Sequence, residues 1–323
     1  MTATTTDTYD QVGIREDLSD TIWDTSPEEV PFSSNCSHES VDNTYFEWQT
    51  DSLAAVSDAT SVEGADAVFA PAAPTVRIGN RAEIIDKTAV ISGTLEATDR
   101  AGRAKEMAYQ VVKRAKEIKR DFEHHIVGLN QEQVAGSDTV ARKTASYTTW
   151  MGATDFGTPG DAGANRGTGG AAPVGGDGTA PATDGTQRAL TEDMLGNVID
   201  AIYIEGGDPN IIMANTFNKR AISQFSGNAS DTQLPRTGKK VINAVTVYES
   251  DYGVMSVVPN RFLRARDVLV YDSSFWAIGD LRGMKNSPIA KTGDSEKRQV
   301  LMEAGLICKN SNSSGIISDL TTA

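Results

Sequence analysis

Apolar residues recur at spacings of three and four along one long stretch, from Asp99 to Leu129. Ala104, Met107, Ala108, Val111, Ala115, Ile118, Phe122, Ile126 and Leu129 fall on one stripe, the signature of an amphipathic helix. Asp99 stands where an N-cap is needed, no proline intervenes, and Gly128 arrives near the end. Some 30 residues at about 1.5 Å each would make a rod of roughly 45 Å. A rod of that length suits a thin, extended subunit better than a compact enzyme. Opposite the stripe lie Lys105, Lys113, Lys116, Lys119 and Arg120, a basic face that is either solvated or fronts a polyanion.

Before the rod the pattern is weaker. Residues 1–13 are polar and Thr-rich, without a periodicity that would bury anything. Leu18, Ile22 and Trp23 share one side of a short helix, which Pro27 and Pro31 break. Such a piece cannot form a core alone and must dock on its own body or on a neighbouring subunit. Residues 44–54 read as a strand with Tyr45, Phe46 and Trp48, and 56–74 as a loop rich in Ala, Asp, Ser and Pro. Residues 75–97 return with strand-like apolar residues. The pair reads as a long two-stranded excursion, which is at best marginally stable alone and must lean on another surface.

After the rod, residues 152–187 are rich in Gly, Ala, Thr and Asp, with no Leu, Ile or Lys. The run GTGGAAPVGGDG lacks a following GKS/GKT and a preceding strand pattern, so it is not a P-loop or a dinucleotide fingerprint. A long exposed loop is expected instead. Thr191 then caps a helix with Glu192 and Asp193 at its positive end, and Gly206-Gly207 stop it. Met194, Leu195, Val198, Ile199 and Ile202 form its buried stripe. IIMAN reads as a buried strand, TFNKRAISQF as a helix, and KVINAVTVYES and YGVMSVVPN as strands around Asp251-Tyr252-Gly253. The tail holds further strands in DVLVYD, FWAIGDL and KRQVLMEAGLICKN, expected to pack against the rod.

Composition narrows the function. Nothing in the 323 residues approaches the roughly 18 consecutive apolar residues that span a membrane. The opening MTATTTDTYDQ lacks the basic and apolar regions of a secretory signal, so the chain is expected to stay where it is made. Cys36 and Cys308 read as incidental thiols in a reducing compartment. The net charge of −14 is uneven: residues 1–99 carry 19 acids against four bases, or −15, leaving +1 for the remainder. That acidity disfavours nucleic-acid binding by the first third and favours its pairing with a less acidic surface.

Candidate chemistry is sparse. His124 and His125 are helix neighbours pointing about 100° apart, so they cannot chelate as an i,i+4 pair would. There is no G-x-S-x-G, no nucleophile signature at either cysteine, and no calcium-loop spacing. No catalytic, cofactor-binding or metal residue is assigned. Phe32, Tyr45, Phe46 and Trp48, with Leu18, Ile22 and Trp23, are the candidates for inter-subunit contact, with burial inside the subunit equally open.

Several long stretches carry a resemblance: REDLSDTIWDTSPEEVPF, NTYFEWQTDSLA, DGTQRALTEDML, GGDPNIIMANTFNKRAISQFSGNA, VVPNRFLRARDVLVYD and IAKTGDSEKRQVLMEAGL. Together, from about Arg15 to Ala323, they resemble the major capsid proteins of tailed bacteriophages, in the group typified by phage SU10. The resemblance implies an α+β chain with the Hong Kong 97-type capsid fold. Residues 1–43 would be the N-terminal arm, 44–97 the E-loop, and 98–151 the P-domain with the rod as spine helix. Residues 152–187 would be a Gly-rich loop, 188–260 the A-domain, and 261–323 the β-part of the P-domain. It implies self-assembly through hexamers and pentamers into an icosahedral head shell around double-stranded DNA, held by non-specific contact. Portal and scaffold or decoration proteins would be further partners, without a membrane or a cofactor, in a virion assembled in the host cytoplasm. An encapsulin-like compartment shell shares the fold and is the alternative. Lys87 is the one lysine before residue 105, with no visible acidic partner, so the lysine–asparagine crosslink of some members of the fold is not expected.

Overall fold

The computed structural model describes residues 26–51, 53–54, 56–66, 69, 74–98, 105–152, 166–225 and 246–322. Leu18, Ile22, Trp23, Asp99 and Ala104 therefore lie outside the described residues. Two sheets organise the chain. The first has the order β1-β9-β10-β4, formed by Ser37–Ser40, Trp276–Ile289, Ser295–Cys308 and Glu83–Ser92. The second has the order β11-β8-β5-β7-β6, formed by Ser314–Ile317, Val268–Tyr271, Ile211–Ala214, Gly253–Pro259 and Val247–Ser250. A separate ribbon pairs β2 (Tyr45–Thr50) with β3 (Val76–Arg81).

The helix α3 (Glu106–Glu123) packs against β4 and β10 of the first sheet. It is shorter than the periodicity predicts. Lys105 is extended (φ −135°), so the helix begins after it, and Glu106 accepts from the Gln110 side chain at 2.7 Å. A separate short helix, α2 (Gly93–Ala97), is capped by Ser92. At the far end α3 passes into a π-helical turn, His124–Gly128. A Cβ at Gly128 would lie 2.2 Å from the His124 ring and 2.4 Å from the Phe262 carbonyl oxygen, so only glycine fits there. Met107, Ile118, Phe122 and Ile126 are buried as the stripe requires, but Ala108 is exposed, and Glu106 and Glu123 are buried instead.

The second half follows its pattern closely. Helix α4 (Glu192–Ile204) is capped by the Thr191 hydroxyl and buries Leu195, Val198, Ile199 and Ile202, with Met194 packed at its edge. Gly206 at φ +89° ends it. Helix α5 (Thr216–Ile222) is capped by Asn215, which receives the Asn218 amide at 2.8 Å.

Three expected boundaries move. β4 does not continue the ribbon of residues 44–97; it pairs over ten residues with β10, and its alternate side chains Ile85, Ala89 and Ile91 are buried. β8 does not enter the sheet under the rod; it joins β5, and β11 pairs with β8 in turn, where a sheet buried on both faces can absorb their unbroken apolar runs. β1, from the end of the expected arm, adds in parallel to the edge of β9.

The Gly-rich segment keeps its loop character but is less free than its composition suggests. Its described part, residues 166–187, has no helix or strand, yet it is tied down. The Asp319 carboxylate accepts the Gly167 and Gly185 amides at 3.0 and 2.9 Å, and Gly178 lies against Trp150 and Ala145. Asp319 sits at φ +62°, an uncommon conformation that these bonds hold in place. The signal that sequence composition hid is a partner 134 residues away.

Candidate subunit-contact surface

Phe32 enters the body from α1 (Pro31–Asn35) and is fully buried. Its ring lies 5.9 Å from Tyr147, 5.2 Å from Tyr271 and 5.9 Å from Trp276, between centroids. The anchor beneath it is Glu123, at the end of α3. The Glu123 carboxylate accepts the Phe32 and Ser33 amides at 2.8 and 2.9 Å, the Ser33 hydroxyl, and the Asn260 side-chain amide at 2.7 Å. One buried carboxylate thus joins the chain's N-terminal part, the long helix and the end of β7. A buried charge is tolerated when its lone pairs are filled in this way.

Phe46 packs on Ala82, Ala277 and Ile307 and stacks on Trp48 at 6.1 Å, and Trp48 reaches Trp150 at 5.5 Å. Tyr45 is half-buried under the Arg81 guanidinium, 4.6 Å from its centroid. Of the two roles left open for these residues, Phe32 and Phe46 take burial inside their own subunit, and Trp48 is partly buried there, because the arm and ribbon roots fold back onto the sheets.

The surface left exposed is further along. The connection between β2 and β3 presents Leu53 (98% exposed), Val56 (104%), Val62 (80%) and Phe69 (93%) to solvent. Residues 51–75 hold Asp51, Asp58, Glu63 and Asp66 with no Lys or Arg. The sequence reads as a loop over residues 56–74 and puts Leu53 at the end of the preceding strand. The available signal was four large apolar residues with no periodicity through which they could bury one another.

The basic row behaves in two ways. Lys105, Lys113 and Lys119 are exposed. Lys116 meets Glu28 at 2.6 Å, and Arg120 stacks over Phe262 at 5.7 Å, so part of the row already serves the same chain. Lys87 does have acidic partners, Asp121 at 2.6 Å and Glu117 at 3.6 Å, which correct the expectation that it had none.

No three His, Cys, Asp or Glu side chains among the described residues converge to hold a metal ion, and no helix among them is long and apolar enough to cross a membrane. Burial pushes the Cys36 thiol far up, with the Glu123 charge adding to the effect, so it is a poor nucleophile. His125 is the titratable group of consequence. Its hydrogen bond to Glu83 at 2.9 Å raises its pKa above the ordinary 6.5, against the opposing effect of burial. A raised histidine stabilises the fold fully below 6.5 and loses that contribution as pH climbs through the raised value. The thermal midpoint of the wild-type chain is therefore expected to fall more steeply from pH 6.5 upward than that of His125→Gln. Parallel curves for the two proteins would contradict this.

Comparisons with known proteins agree with the sequence resemblance. Residues 1–321 match the model of the SU10 major capsid protein family. The major capsid protein of Escherichia phage Phieco32 is 29% identical over 339 aligned residues, covering 96% of this chain and 95% of the relative. Among solved structures, the capsid of cyanophage A-1(L) aligns at a TM-score of 0.63 and 12% identity, over 95% of this chain and 97% of its own. The capsid of a native GTA particle aligns at 0.61 and 11%, over 95% and 96%. Gordonia phage Cozz aligns at 0.60 and 10%, over 96% and 92%. The architecture is thus the mixed helix-and-strand fold of the Hong Kong 97-like phage capsids.

Proposed function

The chain belongs to the SU10 major capsid protein family, and from that premise we propose how one copy joins the next in a phage head. It is a phage major capsid protein, a structural component of the virion that assembles with itself into a shell of capsomers. The encapsulin-like alternative is not favoured, since the matched family and relative are phage capsid proteins.

In this reading α3 is the spine helix, and the β2–β3 ribbon with its connection is the E-loop. The first sheet with α3 forms the P-domain, and the second sheet with α4 and α5 forms the A-domain. Residues 1–43 remain the arm, except that β1 and Phe32 are rooted in the body. One observation carries the proposal: Leu53, Val56, Val62 and Phe69 are almost wholly exposed on the ribbon's connection. Burying each would stabilise by about 1.5–3 kcal/mol, and no surface of their own subunit takes them. A neighbouring copy supplies that surface in the shell, in hexamers and pentamers alike. The connection is also acidic, so a hollow with a basic rim suits it best, and the free part of the basic row, Lys113 and Lys119, is a candidate for that rim.

The other partners are packaged double-stranded DNA, touched non-specifically, and portal and scaffold or decoration proteins, met after synthesis in the host cytoplasm. The charge-reversed Lys113→Glu/Lys119→Glu protein separates the two roles of the row. Impaired assembly of a folded subunit is the expected outcome. Normal shells that fail to retain DNA would instead turn the row toward the lumen. Salt gives a second check. At about 1 M the screening length shrinks to roughly 3 Å, so assembly should slow, whereas a purely apolar joint would be indifferent or tighten.

A further inference from the structure

The β2–β3 ribbon passes into the body through one residue. β3 ends at Arg81 and β4 of the first sheet begins at Glu83, with Ala82, fully buried, between them. Residues 129–146, after the π-helical turn, hold this root through polar bonds. The fully buried Asn80 side chain donates to the Thr144 hydroxyl at 3.0 Å and to the Leu306 carbonyl at 2.7 Å. Its oxygen accepts the Arg81 and Ala145 amides at 2.8 and 2.9 Å, and Gln133 donates to the Gly79 carbonyl at 3.2 Å. One charged group completes the network. The buried Glu83 carboxylate accepts the Thr144 amide at 3.3 Å through one oxygen, and its other oxygen lies 2.9 Å from Nδ1 of His125 on the π-helical turn.

That last bond varies with pH. The His125 side chain is 34% exposed against 4% for Glu83, so solvent protons reach the ring and not the carboxylate. Charges act on the ring from three elements. The Glu83 hydrogen bond on β4 is the largest influence and favours the imidazolium, as does the charge of Asp121 on α3, itself held by Lys87 at 2.6 Å. Burial and Lys143, on the 129–146 segment, oppose it, and the histidine still keeps its proton above its ordinary range. A hydrogen bond between charged partners is roughly twice as strong as a neutral one.

We propose that the His125–Glu83 pair is a pH-sensitive latch on the root of the ribbon, closed while the imidazole is protonated and loosened when the proton passes to water. Loosened, Glu83 keeps the long Thr144 bond and a weaker bond to a neutral ring, and the Thr144–Ala145 backbone that carries Asn80 is held less firmly. The consequence rests on the reading that the β2–β3 connection joins one copy to the next. A fixed root presents the connection already ordered, whereas a loose one must be ordered at every contact. Assembly is therefore fastest in mildly acidic solution and slows as pH rises through the raised value of His125.

Hydrogen exchange on the unassembled full-length chain, from about pH 5.5 to 8.5, tests the latch itself. Dividing the rates in His125→Gln by those in the wild type at each pH cancels the chemical pH dependence of exchange. For the Arg81, Thr144 and Ala145 amides the ratio is expected to be roughly tenfold at the acidic end and to approach one as pH rises. Amides of β5, in the second sheet, should show no such trend. A ratio that does not vary with pH, or a trend shared equally by β5, would overturn the latch. If His125→Gln fails to fold, Glu83→Gln, uncharged and of the same shape, carries the same expectation. Light scattering over the same pH range then reads assembly, where the wild type should lose its advantage over the variant as pH rises. The expected exchange with an assembly ratio indifferent to pH would leave the latch standing and overturn its role in joining copies.

Discussion

Phe32→Ala is expected to destabilise the subunit by about 3–5 kcal/mol, the cost of emptying a large site in a packed core. Phe32 is fully buried among Tyr147, Tyr271 and Trp276, whose rings hold one another in place, with Tyr147 and Trp276 stacked at 4.4 Å. Its neighbours leave little room to collapse. A domain's whole stability is about 5–15 kcal/mol, so the variant should unfold at markedly lower denaturant. Glu123→Ala should act in the same direction, since it strands the Phe32 and Ser33 amides and the Asn260 side chain, at about 1–3 kcal/mol for each buried orphan. The two losses should not add, because both release the same segment. If Phe32→Ala unfolds within about 1 kcal/mol of the wild type in a urea titration, the rooting of the arm in its own body is wrong.

Leu53→Asp/Phe69→Asp is expected to abolish shell formation while leaving the subunit as stable as before. Both side chains are almost fully exposed, so the fold loses nothing by the change. In an assembled shell the same positions would place two charges in an apolar contact, each costing several kcal/mol and repeated in every subunit. Sedimentation should show folded subunits with no fast particle. Normal particles from this variant would mean that the connection is an ornament rather than a joint.

These two results lie on either side of what the sequence could reveal. The stripe of α4, the Thr191 cap and the Gly206 stop were legible because each depends on residues within one or two turns. The length of α3 was not. Its periodicity runs back to Ala104, but Lys105 adopts an extended backbone that no apolar spacing signals. β4 looked like the return arm of a ribbon, since an alternating strand does not name its partner; β10, two hundred residues later, does. Phe32 and Phe46 carry chemistry that suits a subunit contact or a core equally, and only the fold shows that their own subunit buries them. The four apolar residues exposed on the β2–β3 connection were hidden because three of them fall in a segment whose composition reads as loop, and Leu53 at the end of a predicted strand. The clusters at Glu123 and Asp319 were illegible for the same reason: a buried carboxylate is recognised only when its distant donors are known.

The central claim is that the β2–β3 connection of one copy is buried by the next. A cryo-electron reconstruction of the purified, self-assembled protein tests it most directly. The account predicts closed icosahedral shells in which Leu53, Val56, Val62 and Phe69 are covered by an adjacent subunit. Shells in which the connection stands free in solvent, with contacts made only elsewhere, would contradict it.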